Sequence, residues 1–244
     1  MPALVMFVDY DNVEPMFTGA GPVQFARILM GTVPLATLGK YDSVLVRLYG
    51  GWRLSTSPTT AAQQLVPQIV RDSPTVYQNP AAPTAAPIRL LVELADRPIG
   101  WQAVLEQTMV KNRELRRFRA NPQLLRECVD IGSCGLQQFF SMSPTTTCSN
   151  GACGVELGTL LVRDEQKMVD TLLVADLAVQ VFMQQANDIV VVSSDSDIWP
   201  GILLALRAGS NVMHVHPKAQ GRTPMHLLRT LGSGLRGIYT ECTL

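Results

Sequence analysis

Four aspartates are set apart by where they fall in the chain: Asp9, Asp170, Asp195 and Asp197. Asp9 closes the apolar run at residues 3–8 and opens the polar stretch Asp9-Tyr10-Asp11-Asn12. Asp195 and Asp197 belong to Ser193-Ser194-Asp195-Ser196-Asp197, directly after a second apolar run, DIVVV at 188–192. Asp170 lies near the start of a segment, 167–185, whose apolar residues recur at helical spacing. Carboxylates gathered in one place repel each other unless a cation joins them. Hard oxygen donors suit Mg²⁺ or Mn²⁺ rather than zinc. Such ions activate water and hold both oxygens of an in-line phosphoryl displacement. The plainer account is that Asp, Asn and Ser after a strand are turn and helix-cap residues. On that account Ser194 or Asp197 caps a helix beginning at Ile198. Two acidic strand ends, with a third acid in the matching topological place, favour the metal.

The elements that must bring these residues together are legible as a pattern. The apolar run at 3–8 and the segments 43–49 and 188–192 read as buried strands, and 88–94 and 211–215 as further strands. Residues 75–78 and 237–239 read as shorter ones, the latter at an edge. Helical segments are predicted over 23–30, 58–70, 167–185, 198–208 and 224–231, with Gly209 as the glycine that ends the fourth. The Pro/Ala-rich stretch 79–87 reads as a loop. Strands alternating with helices imply an α/β fold, a mostly parallel sheet with helices on both faces. In such sheets ligands bind beyond the carboxyl ends of the strands. Asp9, Asp195 and Asp197 meet there if their strands are neighbours. Asp170 joins them because a helix running back over a parallel sheet begins at that edge.

Composition narrows the class. With 244 residues, 47% hydrophobic and 16% charged, the chain has material for a core and is not of disordered type. Lys plus Arg and Asp plus Glu both number 20, so no global basic field announces nucleic acid. No apolar run is long enough to span a bilayer, and the N-terminus lacks a signal-peptide pattern. The expected location is the cytoplasm, where five cysteines point to metal or free thiols before disulfides.

Cys128, Cys134, Cys148 and Cys153 form two pairs in a stretch rich in Gly, Ser and Thr, an expected structural Zn²⁺ site. Both spacings are wider than the usual knuckle. Four unrelated thiols is the plain alternative, with Cys242 unpaired. Lys111 to Arg126 is the most basic segment, and Arg113, Arg116, Arg117 and Arg119 are candidate phosphate contacts, or else a solvated helix face. Trp52 and Trp199 stack on bases if exposed, although packing is the commoner fate. His214, His216 and His226 read as structural or surface residues.

The motifs FVDYDN at 7–12, KMVDTLLVADL at 167–177 and VVVSSDSDIWPGILLALRAGSNV at 190–212 resemble, in that order, the NYN domain family of PIN-like metal-dependent nucleases. The likeness covers roughly 1–50 and 160–216 and leaves out 79–155, which reads as an insertion or a lineage-specific elaboration. It implies a Rossmann-like (PIN/NYN) sheet in a single domain over 1–244, with a basic, Cys-rich insertion at 111–160. It further implies phosphodiester hydrolysis, of RNA before DNA, with Mg²⁺ or Mn²⁺ held by Asp9, Asp170 and Asp195, and by Asp197 directly or through water. Asn12 resembles the polar partner of the first acid, Lys167 a phosphate contact, and Asp176 a support for helix packing. Tyr10-Asp11 and Ser194 depart from the family pattern without removing a carboxylate, so an active site is expected. Self-association stays open.

VDYDN also matches the opening of haloacid-dehalogenase-type phosphatases, with Asp9 as nucleophile, Asp11 as acid/base, Lys167 on phosphate and Asp195 on magnesium. No Ser or Thr closes the strand at 43–49 as that chemistry wants. A third reading, a binding module without catalysis, sits poorly with an intact set of acids.

Overall fold

Strand β1 (Leu4–Asp9) is buried along its whole length, as a central strand covered on both faces must be. Its residues divide by the two-residue period of a strand. Leu4, Met6 and Val8 enter one core layer, with Phe25 and Leu29 of helix α2 (Pro22–Thr32). Val5 and Phe7 enter the other, with Leu173 and Leu177 of α5 (Val169–Phe182) and Ile202 of α6 (Trp199–Arg207). The sheet and the helices packed on its two faces therefore form three α/β layers. The computed structural model describes residues 3–112, 146–147, 163–166, 168–184, 186–218 and 220–244.

The sheet has seven strands. They are β1, β2 (Ser43–Tyr49), β5 (Thr75–Tyr77), β6 (Ile88–Leu94), β9 (Asp188–Val192), β10 (Asn211–His216) and β11 (Tyr239–Thr243). Their spatial order is β11-β10-β9-β1-β2-β6-β5. All pair in parallel except β5, which runs antiparallel to β6. Apart from that edge strand, the order is that of a doubly wound, Rossmann-like sheet. The chain works outward from β1 through β2 to β6, then returns to the other side of β1 with β9. The winding reverses between β1 and β9, where such sheets open a crevice at their carboxyl edge.

A hairpin follows β2, made of β3 (Arg53–Leu54) and β4 (Ser57–Pro58). Helix α4 (Thr60–Asp72) then starts at Thr59, whose hydroxyl accepts the Ala62 N–H at 3.3 Å. Three one-turn helices complete the described elements: α1 (Pro15–Thr18), α3 (Leu35–Leu38) and α7 (Met225–Leu228). Two compact units are distinguished, Met1–Met109 with Gln166–Leu244, and Val110–Glu165. A separate two-stranded ladder pairs β7 (Met109–Asn112) with β8 (Arg163–Gln166). Cys128, Cys134, Cys148, Cys153, Arg113, Arg116, Arg117, Arg119 and Lys167 lie outside the described residues.

Several expectations shift. The strand Ile88–Leu94 lies inside the sheet beside β2, so reading all of 79–155 as an insertion fails over its first part. The helix expected over 224–231 is a single turn, and the edge strand forms at Tyr239–Thr243 rather than 237–239. The helix after the Asp loop begins with a 3-10 turn, Ser196–Ile198. Gly209 closes α6 at φ +90°, the left-handed geometry expected of it. Among the described residues no helix is long and apolar enough to cross a membrane.

One buried polar node ties β2 to α5. Asp176 is fully buried and accepts hydrogen bonds from Tyr49 Oη at 2.7 Å and from the Ile99 N–H at 2.7 Å. Arg47 Nη2 lies 3.3 Å from the same carboxylate. Asp176 thus anchors the packing of α5, the role the sequence suggested for it.

Candidate metal centre

The register that pairs Val8 with Val192 puts the residues that follow, Asp9 and Ser193, side by side. Ser193 Oγ donates to Asp9 Oδ2 at 2.8 Å, and Asn12 Nδ2 donates to the same oxygen. Asn12 reaches it because Tyr10–Asn12 folds into one 3-10 turn immediately after β1. Ser193 Oγ in turn accepts the Asp195 N–H at 2.9 Å. One hydroxyl therefore sets the places of two of the four aspartates.

The loop then turns on itself. Asp195 Oδ1 accepts the Asp197 N–H at 3.0 Å and caps the 3-10 turn. Neither Ser194 nor Asp197 caps the following helix, since the residue before α6, Ile198, has no side-chain cap. Asp195 does the capping instead, with one oxygen. From the other side of the crevice comes Asp170, in the first turn of α5. One carboxylate oxygen from each of Asp170, Asp195 and Asp197 lies within 4.8 Å of the others.

Asp9 is the buried member, 2% exposed, and stands behind that group rather than within it. Burial pushes its carboxyl above the usual range, and the charges of Asp11 and Asp195 add to this. The hydrogen bonds from Asn12 and Ser193 oppose the rise. Asp170 is also raised, first by burial and then by the charges of Asp9, Asp195 and Asp197. Those causes place all four acids within electrostatic reach of each other. Among the described residues no Lys or Arg forms an ion pair with any of them. An all-oxygen donor set without a described cationic partner fits a divalent hard cation.

A second polar layer supports the loop from β10. The Ser193 carbonyl accepts from His214 Nε2 at 2.9 Å, and the Ser193 N–H donates to the Val215 carbonyl at 3.2 Å. With Nε2 donating, His214 Nδ1 is an acceptor for the Tyr239 hydroxyl at 3.0 Å. His216 packs against it, tilted by 43° with ring centroids 4.3 Å apart, and meets Glu241 at 2.8 Å. Burial, and then the neighbouring His216, bring the His214 pKa down to about 4. His214 and His216 are thus structural, and His226 is on the surface.

Asp11 is placed differently from the other acids of its loop. Its Oδ2 accepts the Gly51 N–H at 3.0 Å, joining the β1 turn to the end of β2. A Cβ on Gly50 would sit 2.8 Å from that oxygen and 2.7 Å from Trp52 Cζ2. Only glycine fits there. Trp52 and Trp199 are 1% and 4% exposed, so both are packing residues. The residue that sequence reasoning passed over is Ser193. Its one signal is that it follows a buried strand, and only the register gives it Asp9 as a neighbour.

Comparison with known protein families, with characterised proteins and with solved structures found no match.

Proposed function

We propose that this chain is a metal-dependent nuclease of NYN/PIN-like type, with RNA as its first substrate to test. The observation that carries the reading is the meeting of Asp170, Asp195 and Asp197 within 4.8 Å at the point where the sheet reverses its winding. Mg²⁺ or Mn²⁺ would be held by these three, with Asp9 behind them. When bound, such an ion lowers the pKa of water and offsets charge on the phosphorus.

The protein's own contribution is placement. Ser193 and Asn12 saturate one oxygen of Asp9, which leaves Oδ1 without a described partner. That oxygen is free to complete the ion's donor set as a fourth carboxylate. Asp195 spends one oxygen on the Asp197 N–H and keeps the other for the site. The neutral His214 and His216 add no positive charge beside it.

The test is cleavage of end-labelled single-stranded RNA by purified protein in Mn²⁺, with EDTA as control. Cleavage should require Mn²⁺ and be lost in Asp9→Asn and Asp195→Asn. Asp11→Asn should largely spare it, whereas a phosphatase with Asp9 as nucleophile would lose all activity in that variant. Protein that neither binds Mn²⁺ nor cuts RNA or DNA is not a nuclease.

A further inference from the structure

The carboxyl edge that carries the acids continues past β2 to β6, and there it opens a cavity of about 440 Å³. That volume is in the range of small-molecule sites. Its walls come from the segments that follow β2 and β6 and from α4. The two sites are joined through the β1 turn, because the Tyr10 ring packs 5.9 Å from Trp52, a cavity residue. Two strand spacings separate β1 from β6, about 10 Å.

Two features of the lining point to a ligand. Trp101 is 65% exposed, against 1% for Trp52 and 4% for Trp199, so one indole face at the cavity is open. Arg47 and Arg53 both line the cavity, and the buried Nε of each has no hydrogen-bond partner. Arg47 is 5% exposed and already held by Glu93 at 2.5 Å, Asp176 at 3.3 Å and the Arg97 carbonyl, which leaves Arg53 as the cation free to meet a ligand. No described carboxylate pairs with Arg53. An open aromatic face beside Arg53, whose charge no described carboxylate balances, suits a flat ring carrying an anionic group, with Glu93 and Asp96 as the acidic part of the same lining.

We propose that this cavity receives a nucleotide of the substrate strand, next to the one being cut, with its base on Trp101 and its sugar-phosphate against Arg53. This rests on the nuclease reading, and it adds where the strand runs: across the sheet edge from β1 toward β6. The affinity it supplies comes from stacking and is tolerant of base identity.

The experiment uses the full chain carrying Asp195→Asn, in EDTA, so that neither cleavage nor metal contributes. A short fluorescein-labelled single-stranded oligoribonucleotide is titrated, reading anisotropy and tryptophan emission. The oligonucleotide should quench the iodide-accessible emission, which belongs to Trp101. Trp101→Ala and Arg53→Gln should each weaken binding about tenfold and, in the otherwise wild-type chain, raise KM. Unchanged thermal midpoints would show that both variants fold. Equal affinity in both variants with unchanged emission overturns the proposal. Equal binding of a free nucleoside monophosphate also overturns it, since the site would then serve a small molecule. The two readings separate cleanly. Oligonucleotide binding that depends on Trp101, without cleavage by the wild type, defeats only the nuclease. Cleavage with an unchanged KM in both variants defeats only the cavity.

Discussion

Asp170→Asn should make the metal-free protein more stable and the metal-loaded protein less so. The carboxylate oxygens of Asp170, Asp195 and Asp197 lie within 4.8 Å of one another. A like-charge pair at that distance costs about 1 kcal/mol at the dielectric of water and about 3 kcal/mol at an effective dielectric of 20. Asp197 is exposed, so the lower figure applies. Removing the Asp170 charge relieves these two pairs, about 2 kcal/mol, and the repulsion of Asp9 adds to the relief. Against this, Asp170 occupies the first turn of α5, where a negative charge is worth about 0.3–1 kcal/mol. The net gain is about 1 kcal/mol, or roughly 2–4 °C in Tm for a chain of this size. With Mn²⁺ at a hundred times its Kd, the wild type gains about 2.7 kcal/mol by mass action. The variant, short of a ligand, gains much less, so the order of stability inverts. Thermal unfolding of both proteins, in EDTA and in Mn²⁺, measures all four states. A variant less stable than wild type in EDTA, with equal Mn²⁺ shifts, would refute the reasoning and leave Asp170 an ordinary first-turn residue.

Three other perturbations follow from the same geometry. Ser193→Ala removes the donor to Asp9 and the acceptor of the Asp195 N–H; it should cost about 1–3 kcal/mol in urea denaturation and about 10- to 100-fold in activity or Mn²⁺ affinity, and retention of both would show that the acids need no such support. His214 stays neutral in the fold down to a pKa of about 4, against 6.5 ordinarily; the unfolded chain binds the extra proton between those values, so stability is lost as pH falls through that window, by about 3 kcal/mol, and a flat urea midpoint there would contradict a buried neutral imidazole. Asp176→Ala strips Arg47 of its buried counter-charge but leaves Glu93 at 2.5 Å, so the loss should sit near the low end of the range for a broken buried pair, about 3 kcal/mol; thermal unfolding reads it, and Asp176→Asn should recover part of it through the hydrogen bonds from Tyr49 and Ile99.

The central strands were legible because they are buried on both faces. The runs at 3–8 and 188–192 coincide with β1 and β9, where near-continuous apolarity leaves no solvent face to interrupt the pattern, while 43–49 and 88–94 coincide with β2 and β6 although Arg47, Arg89 and Glu93 break theirs. The C-terminal elements were read less well. The segment 224–231 carries enough apolar residues for a helix, yet only Met225–Leu228 forms one, and periodicity cannot tell one turn from two.

The chemistry of the candidate site divides along the same line. Aspartates at the ends of two buried runs are a local fact, and local sequence supplied them. That Asp9 and Ser193 stand side by side is a fact of strand order, which joins residues 184 positions apart. The sequence likewise contains three tryptophans with no sign of which one meets solvent. Trp52 and Trp199 are buried because neighbouring elements cover them, while Trp101 is left open at a cavity. Side-chain identity and strand-end position are properties of the chain itself. Adjacency, burial and the proton affinities that follow from them exist only once distant segments pack.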